Sequence, residues 1–152
     1  MWKNRKDLRD VPGYVRKLRL GRWVIFDTDV LIWSFRGDQK AVAMIGSQAD
    51  REASIISLME LLQGARSRLE MKNIRSFLQD ADFHILPVNE SISHLAATLM
   101  EEHALTGLQV ADALIAATAW EVNRPLATGN VLPYRPILGI ELKSFRPGKV
   151  RD

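Results

Sequence analysis

The sequence predicts an α/β protein with three layers, α/β/α, around a mainly parallel sheet. Three observations carry that expectation. Short, largely apolar runs such as WVIF at 23–26 recur along the chain. The segments between them have the rhythm of helices, so strand and helix alternate as in βαβ units. The runs are continuous in apolar character rather than alternating, which marks strands covered on both faces, as parallel strands are.

The elements follow in order. Residues 1–22 hold Pro12, Gly13 and Gly21 among eight Lys/Arg and two Asp. They read as a basic arm outside the core, with one short helix near Tyr14–Leu20. WVIF at 23–26 is the first strand and stops at Asp27. DVLIWSF at 29–35 is a short helix, broken by Arg36-Gly37-Asp38. Residues 39–49 form a second helix. ASII at 53–56 is the second strand, and Ser57-Leu58-Met59-Glu60 opens the helix that carries Leu61 and Leu62. Residues 68–79 are helical, with Leu69, Ile74, Phe77 and Leu78 apolar. FHILPV at 83–88 is the third strand, closed by Pro87. Residues 90–104 form a helix with Ile92, Leu95, Ala96 and Leu99 on one face. After Gly107, QVADALIAATAWEV at 109–122 is an uninterrupted helix. PLAT at 125–128 is the fourth strand, 129–139 a loop, and IELKSF at 140–145 an edge strand. The chain thus divides into an arm (1–22), a folded domain (23–147) and a basic tail (148–152).

Composition narrows the function classes. The 152 residues are 47% hydrophobic and 26% charged, ordinary for a globular domain. There is no cysteine, which excludes disulfides, thiolate zinc sites and cysteine nucleophiles. No apolar run reaches the length of about 18 that a membrane helix needs. The polar start MWKNRKDLRD lacks the apolar stretch of a secretory signal, so a cytoplasmic location is expected. The net charge of +3 is unevenly placed: +6 over 1–22, −6 over 23–142 and +3 over 143–152. Basic ends can neutralise the phosphates of a polyanion, or simply keep a tail solvated.

The acids in the middle carry the chemistry. In an open α/β sheet, ligands bind outside the carboxyl ends of the strands. The residues just after the predicted strands are Asp27 and Asp29, Ser57 and Glu60, and Asn130, with Asp112 in the first turn of the last helix. Each acid alone has a plain explanation. Asp27 fits a helix N-cap, Asp29 and Asp112 fit first-turn acids, and Ser57-x-x-Glu60 fits a capping box. Together they sit inside apolar sequence, VIFDTDVLI, ISLMELL and QVADALIAA. Two carboxylates about 4 Å apart repel by roughly 4 kcal/mol at an effective dielectric near 20. Such a cluster calls for shared protons or a cation among the acids. Oxygen ligands without Cys or His favour Mg²⁺ or Mn²⁺. His84, His94 and His103 lack metal-ligand spacing and read as structural or surface residues. Trp33 and Trp120 read as packing residues, and Arg66 and Arg68 as surface arginines.

At these motifs the sequence resembles a family. FDTDVLIW at 26–33, ISLMELLQGAR at 56–66, ADALIAATA at 111–119 and LATGN at 126–130, followed by YRPILGIELKSFRP, look like the PIN-domain ribonucleases of the VapC toxin type. The likeness runs in order from about residue 23 to 147. It implies a PIN-like three-layer sandwich and Mg²⁺- or Mn²⁺-dependent cleavage of RNA. It also implies a small antitoxin partner, and a homodimer is expected. By position, Asp27, Glu60 and Asp112 match the family's core acids. Asp27 and Asp112 would ligate the metal directly, and Glu60 directly or through water. Thr28, Asp29, Ser57, Thr128 and Asn130 would orient ligands or touch phosphate. The chain departs from the pattern at Asn130, where many relatives have a fourth acid, and at Val131-Leu132-Pro133-Tyr134, where relatives place a charged residue before an aromatic.

Two other readings compete. FDTDV also resembles the opening of haloacid-dehalogenase-type phosphatases, but Leu31 stands where that family has Thr or Val, and its later Lys motif is missing. A non-catalytic RNA-binding protein with a degenerate acidic site is the second.

Overall fold

The computed structural model describes residues 23–148. The expected arm, and the tail from 149 on, lie outside them. In chain order the described elements are β1 (Trp23–Phe26), α1 (Thr28–Phe35), α2 (Gln39–Gly46), β2 (Asp50–Ser54), α3 (Ile55–Gln63) and α4 (Arg68–Asp80). They continue with β3 (Phe83–Leu86), α5 (Glu90–His103), a 3₁₀ turn (Ala104–Thr106), α6 (Val110–Val122), β4 (Leu126–Thr128) and β5 (Leu142–Ser144).

The five strands form one sheet in the order β3-β2-β1-β4-β5, and every pairing is parallel. The described residues start in the middle strand, build outward to β3, then return to the other side of β1 for β4. The β1–β4 seam is therefore the topological switch point. A crevice opens there at the carboxyl ends, because the connections leave the sheet in opposite directions.

Side chains alternate across a strand, so a strand covered on both faces must be apolar on both. Ile25 and Leu126 point into one core, shared with Ile92, Leu95 and Leu99 of α5 and Ile115 and Ala116 of α6. Val24, Phe26 and Ala127 point into the other, shared with Val30 and Leu31 of α1, Ile45 of α2, Leu58 of α3 and Ile74 of α4. Those two cores are the helix layers of an α/β/α sandwich, as expected. Trp33 packs against the second core and Trp120 in the first.

The second strand departs from expectation. It spans 50–54 instead of 53–56, and Ile55 and Ile56 begin the helix. Ser54 is the N-cap, its side chain accepting from Ile56 N, so the β-branched pair falls in the first helical turn. The strand's charged start had hidden it. Arg51 donates to the carbonyls of Ile45, Gln48 and Ala81, and Glu52 is only 6% exposed with Arg124 Nε 3.3 Å away. Arg124 also lies over the Trp23 ring. Other boundaries move by a few residues: β3 stops before Pro87, α2 ends at Gly46, and β5 is confined to 142–144. Among the described residues no helix is long and apolar enough to cross a membrane.

Candidate active site

The switch-point crevice gathers the residues that the sequence singled out. Asp27 follows β1 and caps α1, its Oδ1 accepting from Thr28 N at 2.8 Å. Its Oδ2 accepts from two hydroxyls, Thr128 Oγ1 at 2.8 Å and Tyr134 at 2.9 Å. A carboxylate offers about four lone-pair directions, so these three bonds leave one, on Oδ1. The N-cap reading of Asp27 is thus correct but incomplete, because a cap needs only one oxygen. Burial, with the Asp29 charge second, pushes the Asp27 carboxyl up to about 6, against the pull of its three donors.

Asp29 lies two residues on, in the first turn of α1, and is half-buried. Its Oδ1 accepts from Val30 N and its Oδ2 from Gly129 N, both at 2.8 Å. Burial raises its pKa as well, with Asp112 adding a smaller push in the same direction. Asp29 therefore ties α1 to the turn after β4. That turn must approach closely: a Cβ on Gly129 would lie 2.6 Å from Asp29 Oδ2 and 3.2 Å from the Phe145 carbonyl oxygen. Thr128 Oγ1 accepts from Asn130 N at 3.0 Å while donating to Asp27, and the Asn130 side chain is exposed.

Glu60 and Ser57 approach from α3. Ser57 is fully buried within that helix and is not its cap, so the capping-box reading of Ser57-x-x-Glu60 fails. Both residues meet Thr28. The Thr28 hydroxyl lies 2.6 Å from Glu60 Oε1 and 3.0 Å from Ser57 Oγ. Thr28 has one hydroxyl proton, and the shorter contact to a carboxylate takes it. The pair of hydroxyls then forms a short relay that aims Glu60 at the crevice.

Asp112 comes from the first turn of α6. Its Oδ2 lies 3.3 Å from Gln109 N, a reciprocal cap at the helix start, so the first-turn reading holds and the acid caps as well. Its other oxygen, Oδ1, lies 3.3 Å from the Tyr134 hydroxyl. Tyr134 is the residue that sequence reasoning missed. It is 1% exposed, and its hydroxyl reaches Asp27 and Asp112 at once. The aromatic at 134 was visible in the sequence, but nothing there linked its hydroxyl to acids 107 and 22 residues away.

Asp27, Asp29 and Asp112 thus meet at one end of the sheet, and Glu60 joins them through Thr28. Among the described residues, however, no three acidic or histidine side chains form a ready-made set of metal ligands. Hydroxyls link the acids in this arrangement. The histidines lie apart, His84 edge-on to Trp23, His94 beside Glu90 and His103 beside Glu102. Arg66 and Arg68 are exposed, and Arg66 and Arg36 line a groove beside Glu60.

Comparison with known proteins agrees with the fold. The PIN domain family model matches residues 24–131, and the chain belongs to the PIN-domain family. That match leaves the phosphatase resemblance without support. Among solved structures, the chain is similar to a toxin–antitoxin complex from Klebsiella pneumoniae, at 28% identity and a TM-score of 0.67, over 77% of this chain and 94% of that one. It is similar to VapBC2 from Rickettsia felis bound to a promoter DNA fragment, at 18% identity and a TM-score of 0.70, over 82% of this chain and 99% of that one. A third likeness is VapBC-1 from nontypeable Haemophilus influenzae, at 21% identity and a TM-score of 0.67, over 80% and 97%. No curated protein matches the chain.

Proposed function

We propose that this protein is a metal-dependent endoribonuclease of the VapC type, the toxin of a toxin–antitoxin pair. The observation that carries the reading is the meeting of Asp27, Asp29, Asp112 and Glu60 at the switch point, with Asp27 pushed up by burial first and by the Asp29 charge second. Buried like charges at a crevice are costly unless a cation offsets them.

The donor set fits Mg²⁺ or Mn²⁺. It is all oxygen, which suits hard cations. Mg²⁺ keeps several waters and is commonly held by one or two carboxylates, so three direct protein ligands are not required. Asp27, through its free direction on Oδ1, and Asp112 are the proposed direct ligands, and Glu60 is proposed to act through water. A cation held there would supply a nucleophile at neutral pH and offset charge growing on the phosphate oxygens. The protein's own part is positioning. Thr128 and Thr28 N hold Asp27, and Thr28, backed by Ser57, aims Glu60. Asp29 fixes the Gly129 turn beside them, and Asn130 stands exposed on that turn, within the stretch expected to touch phosphate. Arg36 and Arg66 place positive charge next to Glu60, where it can attract an RNA backbone. The same groove has apolar walls, Ile32, Phe35 and Leu61, suited to a segment of a small antitoxin protein. A second copy of the chain is the remaining proposed partner.

The test is cleavage of end-labelled RNA at neutral pH. Wild type should cut with Mg²⁺ or Mn²⁺ and stop in EDTA. Asp27→Asn and Asp112→Asn should each cut at least 100-fold more slowly while remaining folded. Full activity in EDTA would remove the metal mechanism. The lack of a ready-made set of three acids favours the second reading, a non-catalytic RNA-binding protein. RNA binding of equal strength with and without metal, and no cleavage, would establish that one.

A further inference from the structure

Tyr134 sits in the loop after β4 and is almost wholly buried. The loop turns tightly around it: Tyr134 N donates to the Val131 carbonyl, and Ile137 N to the Tyr134 carbonyl. The ring packs in the α5–α6 core, where a phenylalanine ring would serve equally well. The hydroxyl needs its own explanation, because burying one without partners costs free energy. Its partners are two acids, Asp27 Oδ2 at 2.9 Å and Asp112 Oδ1 at 3.3 Å. One proton serves both, mainly the nearer. A phenol is protonated throughout the physiological range, so this hydroxyl is a donor.

Asp27 and Asp112 come from different layers. Asp27 leaves β1, and Asp112 starts α6 on the other side of the sheet's end. Like charges on separate elements tend to turn apart into water. The Tyr134 hydroxyl opposes this and occupies oxygens that neither acid needs for its cap.

We propose that Tyr134 is a positioning residue whose hydroxyl holds Asp27 and Asp112 at the spacing that a shared divalent cation requires. The inference rests on the metal-site reading above and adds a residue to it. Loss of a group that orients metal ligands typically weakens affinity 10–100-fold.

The test is Mn²⁺ binding, by titration calorimetry and by the loss of the free-ion spin-resonance signal, to RNA-free protein. It compares wild type with Tyr134→Phe and Tyr134→Leu, alongside thermal unfolding in EDTA. The hydroxyl is absent from both variants and the ring only from the second. The Mn²⁺ dissociation constant should rise roughly ten-fold or more in both variants. The unfolding temperature should fall mainly in Tyr134→Leu. If Tyr134→Phe binds Mn²⁺ as tightly as wild type, or more tightly, Tyr134 is only packing and the inference is wrong. If Tyr134→Leu does not fold, the Phe variant decides alone. If wild type takes no Mn²⁺, the metal-site reading itself fails and this inference goes with it. If wild type binds Mn²⁺ but cuts no RNA, the nuclease reading fails while the Tyr134 comparison still stands.

Discussion

Asp27 uses three of its four acceptor directions to hold itself in place, and Asp29 uses both oxygens on backbone amides. Their roles differ accordingly. Asp27 keeps a direction for a ligand, while Asp29 is a strut between α1 and the turn after β4. The strut explains Gly129, whose missing Cβ leaves room for the Asp29 carboxylate and the Phe145 carbonyl. Gly129→Ala should therefore break the Asp29 contact and push the turn outward. Crowding of this kind costs about 1–3 kcal/mol. Thermal unfolding should register the loss, and RNA cleavage should fall with it. An unchanged unfolding temperature would mean that the turn has slack that the geometry does not suggest. At this scale the sequence was informative about residue types and poor about contacts. Acids embedded in apolar runs pointed to Asp27, Glu60 and Asp112. The three had equally good explanations as helix-start residues, Asp27 as a cap, Asp112 as a first-turn acid and Glu60 in a capping box, and the first two are correct. Capping and ligation use the same residue at the same place, so sequence alone does not separate them.

The elements that carry the site were largely legible. Continuous apolar runs identified the β1 and β4 strands, and the Ala-rich run gave α6 nearly to the residue. The β2–α3 junction was not, for a physical reason. Ile55 and Ile56 favour strands by propensity, yet Ser54 caps the chain three residues before Ser57, and the tertiary fold overrides propensity. The shift matters for function. With Ser54 as the cap, Ser57 and Glu60 fall on one face of α3, one turn apart, and both reach Thr28. This α1–α3 contact can be tested with Thr28→Val, which keeps the shape and removes the hydroxyl. Glu60 is only half-buried, so water can replace the lost donor, and the stability cost should stay near 1 kcal/mol. Cleavage should slow by about 10–100-fold, as when other groups that orient metal ligands are lost. Wild-type cleavage by Thr28→Val would mean that Glu60 needs no aiming.

For the whole molecule, the topology chooses where the charge collects. A sheet that begins in its middle strand opens its crevice between β1 and β4, and the three aspartates and Glu60 face that one end. The acidic middle of the chain, net −6 over 23–142, is therefore partly concentrated at the crevice. The consequence is a stability that depends on pH and cation together. Asp27 has a folded pKa of about 6, above its ordinary value of 3.8. Between those two values the folded protein holds a proton that the unfolded chain has lost. Stability therefore falls as pH rises through that window and levels off above it. Asp29 and Glu52 are raised as well and act in the same direction. From pH 5 to 7.5, Asp27 alone should account for a loss on the order of 1 kcal/mol. In a domain of this size that is a fall of roughly 2–4 °C in unfolding temperature. The most direct measurement is thermal unfolding of wild type and Asp27→Asn at pH 5 and 7.5, each in EDTA and in millimolar Mg²⁺. In EDTA the wild type should lose stability on going to pH 7.5, and Asp27→Asn should lose less. Mg²⁺ at pH 7.5 should restore the wild type by mass action and leave Asp27→Asn nearly unmoved. A wild type that gains no more from Mg²⁺ than Asp27→Asn does would mean that these carboxylates are caps and struts alone, and that the crevice holds no cation.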